Sequence, residues 1–434
     1  MSGFSGAWRL RPRPRKTTAQ YAQERRARRR RQLLSPNAVL PVTVAQFMDR
    51  DNLYECFLEL RREGGQAPGI DKVTYDISNS EAGMIVGHLA AAIGNGTYRP
   101  QPTRPVQIPK PGTDQSRTLR LGVISDRVVG KAVHKALGSI WEGVFLPCSW
   151  GFRPNLGTWQ MLAAMEADMS TTGSWVLAVD DIRSAFDNVP IADLMACHEL
   201  MFDAIVASRN LTPAQGDRFR TEKDELLRLV ETVLKGHDRT RTRGIDQGAP
   251  YSPTALNALL HYYLDLPLVT MDPPPRYHRY ADNVIAVCRI VPAGRNVLNR
   301  ICRLLKPLGL SLKGKDGVVD LGAGASIEIL GFRLHLHENQ LHYDLGQKAY
   351  IQLRQHLGDA HAAEDPPTSA RQCLFGWLTS AGPACKSGDA EIRNILALVA
   401  EYGFRELASV EELRQHWEDA WHLWRDVRRK AYTE

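Results

Sequence analysis

Trp175-Val176-Leu177-Ala178-Val179 is a wholly apolar run, with Gly173 before it and Asp180-Asp181 after it. Five consecutive apolar side chains cannot alternate between core and water. The run therefore reads as a short strand buried on both faces, inside a sheet that other layers cover. Its exit is acidic. Residues 276–280 and 284–288 are two more β-prone runs, joined across Ala281-Asp282-Asn283, a hairpin signal whose tip is again acidic. Ser125-Asp126 opens a helix in which Val128, Val129, Ala132, Val133, Ala136, Leu137 and Ile140 follow the 3.6-residue period of a core face. Ser252-Pro253 reads as another helix start, serine as cap and proline in the first turn.

Two buried strands that end in carboxylates supply what two-metal phosphoryl transfer needs. Two Mg²⁺ ions about 4 Å apart require hard oxygen ligands on rigid backbone. Aspartate also ends strands for conformational reasons alone, so the two acidic exits do not by themselves decide the chemistry.

The 434 residues, 43% apolar and 24% charged, suit a globular protein of two or three packed units and exclude a collagen-like fibre or a small disulfide scaffold. No apolar run approaches the length of a membrane span, and the N-terminus has no apolar signal core, so a soluble cytoplasmic protein with no membrane partner is expected. Seven scattered cysteines, never spaced C-x-x-C, suit reduced buried thiols. The formal charge of +7 is unevenly placed. Residues 1–31 hold eleven basic residues, among them Arg25, Arg26, Arg28, Arg29, Arg30 and Arg31, against the single acid Glu24. Such a segment cannot pack a core, and it suits a phosphate backbone, which it would bind with release of counterions. A solvated tail is the plainer reading.

Residues 42–62 look helical, and Gly64-Gly65-Gln66-Ala67-Pro68-Gly69 breaks the pattern as a loop. Val106-Gln107-Ile108 reads as an edge element that turns at Pro111-Gly112. Beyond about Tyr350 the chain becomes helical. Its last helix sets Leu413, Trp417, Trp421 and Trp424 on one face, a stripe read as packing against a neighbour in preference to base stacking.

Several of these segments, in this order, resemble the motif series of group II intron-type reverse transcriptases, from about Gly65 to Leu336 and more faintly to Trp377. Gly65-Gln66-Ala67-Pro68-Gly69-Ile70-Asp71 resembles an early G-x-x-G-x-D loop. Ile108-Pro109-Lys110-Pro111-Gly112 with Arg117-Thr118-Leu119 resembles the fingers hairpin, Thr118 replacing the usual proline. Ser125-Asp126-Arg127-Val128-Val129 and Ser149-Trp150-Gly151-Phe152-Arg153-Pro154 match the next blocks almost letter for letter. Asp181-Ile182-Arg183-Ser184-Ala185-Phe186-Asp187 corresponds to the first palm motif, residues 244–253 to the second, and Tyr280-Ala281-Asp282-Asn283 to the family's Y-A-D-D. Residues 308–312 and 329–332 fit the two following palm motifs.

The resemblance implies an α+β right-hand polymerase. A basic arm (1–35) and a helical extension (36–100) would precede fingers and palm (101–345) of antiparallel sheet plus helices, and an α-helical thumb (346–434) would follow. Such an enzyme copies an RNA template, structured or non-coding, into DNA from a DNA or RNA primer and dNTPs, with two Mg²⁺ ions or Mn²⁺ in their place. Asp181 and Asp282 would hold the metals, with the carbonyl of Ile182 as a further oxygen. Lys110 and Arg117 would clamp the triphosphate, fixed cations that cancel charge on the leaving group. Gln247 would touch the nucleotide or its templating partner, and Gly248 would permit close backbone approach. Phe186 would lie under the sugar and clash with a 2′-hydroxyl. Lys313 or Lys315 would supply a basic residue able to protonate pyrophosphate, the choice between them open.

Asn283 departs from the family, which has a second aspartate there. One charge fewer at metal-cluster distances is worth several kcal/mol even at intermediate dielectric. The amide oxygen can still ligate weakly, and asparagine tolerates left-handed turn geometry, so an active but altered site is expected. His335, His337 and His342 could meet on a hairpin face, where an exposed strand face is the plainer reading. No Cys/His set for a zinc nuclease follows Trp377, so a stand-alone enzyme without an endonuclease is expected. Antiphage defence, CRISPR-associated or repair roles, and a non-catalytic RNA-binding maturase or scaffold, are the alternatives. A protein-primed or template-independent polymerase is a further one. Oligomerisation is left open.

Overall fold

The computed structural model describes residues 40, 42–109, 116–207, 210–314, 317–384 and 389–433. The arginine arm with Arg25, Arg26, Arg28, Arg29, Arg30 and Arg31, the expected turn at Pro111-Gly112 with Lys110, and Lys315 lie outside the described residues.

The helix expected over 42–62 is two helices, α1 (Val44–Phe47) and α2 (Arg50–Glu63), because Asp49 leaves helical geometry and caps α2 by accepting from the Asn52 N–H at 2.9 Å. After α3 (Asn79–Gly94), strands β1 (Arg104–Pro109) and β2 (Ser116–Leu121) pair antiparallel with Ile108 opposite Arg117. Helix α4 (Ile124–Glu142) buries the expected apolar face, with Ile140 only half-buried. It starts one residue before Ser125. Asp126 caps nothing there but accepts from the Tyr98 hydroxyl and the Gln101 N–H, fastening the incoming chain to the helix.

Helix α5 (Thr158–Thr172) leads into β3 (Val176–Asp181), which is buried throughout except at Asp181. Three helices follow, α6 (Ala185–Asn188), α7 (Ile191–Ala207) and α8 (Pro213–Lys235). Helix α9 (Ser252–Leu260) runs through one π-helical turn (His261–Asp265) into a last helical turn (Leu266–Val269). Ser252 is not its cap. Tyr251 holds that position, and its buried hydroxyl lies 2.6 Å from His198 Nε2 and accepts from Trp141 Nε1 at 3.2 Å, so tertiary anchoring sets the helix start.

Strands β4 (Arg276–Tyr280) and β5 (Asn283–Cys288) form the expected hairpin. With β6 (Gly317–Asp320), which follows α10 (Val291–Leu305), they complete an antiparallel sheet of order β4-β5-β3-β6. Its interior strand is covered on both sides, as five apolar residues in a row demand. Val176 and Ala178 pack with Val297 and Leu298 of α10. Leu177 and Val179 pack with Met161, Met165 and Met169 of α5.

Strands β7 (Ser326–Ile329), β8 (Phe332–His337) and β9 (Gln340–Leu345) make a separate antiparallel sheet. Helices α11 (Gln347–Ala360), α12 (Pro366–Ser380), α13 (Asp389–Glu401) and α14 (Val410–Ala431) end the chain. The tryptophan stripe of α14 is packing. Leu413 and Trp417 fill the core of the C-terminal helices, whereas Trp424 enters the core between the two sheets, edge-on to Trp159 and Tyr343. The architecture is α+β, with antiparallel sheets packed against helices.

Candidate active site

The strand register brings Asp181 and Asp282 together. Asp181 lies opposite Asn283 across β3 and β5, and the pairing extends one step further, where the Ile182 N–H donates to the Asp282 carbonyl at 2.9 Å. Burial, and then the negative charge of Asp181, push the Asp282 carboxyl above its ordinary range. Lys313 answers part of that charge. Its N–H donates to the Asp181 carbonyl at 2.8 Å, and its ammonium ion-pairs with the Asp181 carboxylate. The two aspartates at the exit of β3 differ in use. Asp180 is buried and accepts from the N–H groups of Asp181 and Gly314, so it fixes the loop that carries Lys313 and leaves Asp181 to face the site.

Between β4 and β5 the turn has two central residues, Ala281 and Asp282, since Tyr280 pairs with Asn283. The residue in left-handed geometry is Ala281, at φ 56°, whereas Asn283 is the first residue of β5. Asparagine therefore does not serve the left-handed turn position. Its side-chain amide donates to the Tyr280 carbonyl at 3.3 Å and closes the turn.

Arg279 explains how alanine is held there. It has no exposed surface. Its Nη1 donates to the Ala281 carbonyl at 3.0 Å and to Asn257 Oδ1 at 2.7 Å, and its Nη2 donates to the Ser149 hydroxyl at 2.7 Å. Nε and Nη2 also reach the two oxygens of Asp265 at 2.8 and 2.6 Å, a bidentate pair presented by the π-helical turn. Burial opposes the guanidinium charge, but the Asp265 carboxylate outweighs it and holds the arginine above its ordinary range. These supporting residues were not singled out from the sequence. The signs available were an arginine within a β-prone run and an aspartate within the apolar stretch after Ser252-Pro253.

The Ser149-Trp150-Gly151-Phe152-Arg153 loop is laced to the same hairpin. Arg279 donates its N–H to the Cys148 carbonyl at 2.7 Å, and Trp150 donates to the Arg279 carbonyl at 2.8 Å. Gly151 lies so close to the turn that a Cβ would stand 2.6 Å from the Ala281 nitrogen.

Around this centre, Phe186 sits half-buried in α6, and its carbonyl accepts from Ile245 at 2.9 Å, which ties it to the loop of Gln247 and Gly248. Gln247 is half-buried, and its carbonyl accepts from the Arg120 N–H of β2 at 3.0 Å. Gly248 has φ 104°, a conformation that L side chains rarely adopt. Arg117 is exposed on β2. Within the basic stretch of residues 239–243, Arg241 ion-pairs with Asp246 at 2.8 Å and the exposed Arg243 donates to the carbonyls of Asn188 and Leu308, so both guanidiniums have partners within the chain. His335, His337 and His342 form a ring cluster on β8 and β9, and His335 Nδ1 lies 3.3 Å from Asp344. Among the described residues no three His, Cys, Asp or Glu side chains are grouped to hold a metal, and the Asp181-Asp282 site offers two carboxylates.

Residues 108–315, just under half of the chain, match the family model described as reverse transcriptase (RNA-dependent DNA polymerase). Protein YkfC of Escherichia coli (strain K12) is 28% identical over 215 residues, which cover 48% of this chain and 51% of that protein. Group II intron-encoded protein LtrA of Lactococcus lactis subsp. cremoris is 30% identical over 127 residues, 29% of this chain and 20% of that one. The chain thus spans about half the length of the first of these relatives and about a fifth of the second. A solved telomerase from Candida albicans, in complex with a fragment of telomeric RNA, aligns with a TM-score of 0.41 and 12% identity over 74% of this chain and 64% of that one, a likeness too loose to carry weight. Residues 108–315 thus carry the match to the reverse transcriptases, and the relatives of this part of the chain include a group II intron-encoded protein.

Proposed function

We propose that the chain is an RNA-directed DNA polymerase of the group II-like kind that extends a DNA or RNA primer on an RNA template with dNTPs. The observation that carries this reading is the convergence of Asp181 and Asp282, two carboxylates from distant stretches of chain: the Ile182 N–H donates to the Asp282 carbonyl, and burial, then repulsion from Asp181, raise the Asp282 pKa. A divalent cation relieves that repulsion, and the hard oxygen donors suit Mg²⁺ or Mn²⁺. When bound, the metal pair would activate the primer 3′-hydroxyl and neutralise the leaving pyrophosphate.

Asp181 and Asp282, with the Ile182 carbonyl, would hold the ions. Asn283 supports this centre as the residue that closes the turn. Arg117, exposed and opposite Ile108, is free to meet a triphosphate together with Lys110. Lys313 already holds its ammonium at Asp181, which favours it over Lys315 as the basic residue near the phosphates. Gln247 and Gly248 would flank the nascent base pair, and Phe186 would lie under the sugar. On this reading residues 101–345 are fingers and palm, 346–434 the thumb, and the 1–35 arm binds RNA.

Primer extension on an RNA template tests the proposal. The wild-type protein is expected to incorporate dNTPs in Mg²⁺, Asp282→Ala to fall to background, and Asn283→Asp to retain synthesis. Equal extension by Asp282→Ala would overturn the assignment. Absent extension by the wild type, with RNA still retained, would leave a non-catalytic RNA binder.

A further inference from the structure

Phe152 is among the few large apolar side chains left open to solvent, with 46% of its surface exposed, and its backbone holds φ 60°. A phenylalanine gains nothing from water, and left-handed geometry is unfavourable for a bulky side chain. The surrounding structure must impose both, a pattern concentrated at functional sites.

The neighbours of Phe152 are fixed on either side. Gly151 abuts the Ala281 nitrogen, and its carbonyl accepts from Asn257 Nδ2 at 2.8 Å. Arg153 reaches both oxygens of Glu142, at 3.1 and 2.9 Å, and donates to the carbonyls of Leu146 and Ser149 at 2.8 and 2.7 Å. Between these anchors the Phe152 ring stands nearly perpendicular to that of Phe186, at 75° with centroids 6.5 Å apart. One loop thus touches the turn of Asp282 through its backbone and the aromatic of α6 through its exposed ring.

We propose that Phe152 is a specificity-determining residue. It forms a second wall of the sugar pocket and holds the Phe186 ring where that ring excludes a 2′-hydroxyl. This inference rests on the reading of Phe186 as the residue under the sugar. Core packing does not account for Phe152, because the ring is exposed. Its aromatic contact is Phe186, itself only half-buried at the edge of the main core.

Single-nucleotide incorporation on an RNA template tests this, with kcat/KM for a dNTP and the matching rNTP measured in the wild type, Phe186→Ala, Phe152→Ala and Phe152→Tyr. Phe186→Ala is expected to relax sugar discrimination strongly. Phe152→Ala should relax it by about three- to tenfold, the worth of one aromatic edge contact, and Phe152→Tyr should keep the wild-type ratio. A wild-type ratio in Phe152→Ala while Phe186→Ala is relaxed would overturn the role of Phe152 and leave the sugar-contact reading standing. So would equal losses for both nucleotides in Phe152→Ala, which mark a packing role. An unchanged ratio in Phe186→Ala would remove the reading of Phe186 and this inference with it. If Phe152→Ala does not fold, Phe152→Leu, which keeps bulk but not the ring, carries the same outcomes.

Discussion

The carbonyl of Ala281 accepts a hydrogen bond at 3.0 Å from Nη1 of Arg279, a side chain sealed from solvent that also grips both carboxylate oxygens of Asp265. The residue before Asp282 is therefore steered from beneath by an ion pair rooted in α9's continuation. Methionine at position 279 would leave the Asp265 charge buried and alone. Arg279→Met is expected to cost about 3–5 kcal/mol of stability, read as a lowered urea midpoint. Arg279→Met combined with Asp265→Leu should recover much of that loss. A double variant no more stable than the single one would show that Asp265 is not the group left stranded.

Acid should weaken the fold through His198. Burial drives its imidazole down to about 4, against an ordinary 6.5. Above 6.5 neither state is protonated and the stability is intact. As pH falls from 6.5 towards 4 the unfolded chain takes up a proton that the folded chain refuses, so stability drops, and the loss levels off below 4. His198 alone would cost about 2 kcal/mol between pH 7 and pH 5. His134, also held down to about 4 by burial and then by Lys131 and Lys135, adds in the same direction. Urea midpoints at the two pH values measure the sum, and His198→Gln should flatten the dependence. An unchanged slope in that variant would refute the assignment.

Outside residues 1–31 the chain is slightly acidic, and Arg241 and Arg243 already have hydrogen-bond or ion-pair partners in the chain. RNA affinity should therefore lean on the arm. Removing residues 1–31 is expected to lower the slope of log affinity against log salt by several units, since each cation lost is one fewer phosphate neutralised, at about 0.7 per contact on single strands. Filter binding across a salt series checks this. Equal slopes would place the RNA-binding cations elsewhere.

Local chemistry was readable wherever it was periodic or acidic. The apolar run before Asp180 did become the doubly covered strand, and the hairpin tip did bring Asp282 beside Asp181. What the sequence could not convey was which atom faces where. Asp180 and Asp181 are neighbours of one type, yet only backbone register shows that one serves the loop of Gly314 and the other faces the site. The left-handed turn position was expected to suit Asn283 and belongs to Ala281, because buried hydrogen bonds from Arg279 override local preference. The same limit hid Phe152. Its letter matched a motif, but its exposure and its contact with Phe186 exist only once residues 34 apart are folded together.

Helix α14 lays Trp417 in one core and Trp424, two turns on, in another, while Arg428 pins the helix to buried Glu166 of α5 at 2.6 Å. A single rod mortared into both walls acts as a splint. Swinging the C-terminal helices about a hinge would pull a tryptophan from its socket, so under the proposed function a duplex advancing alongside them would slide past a fixed guide.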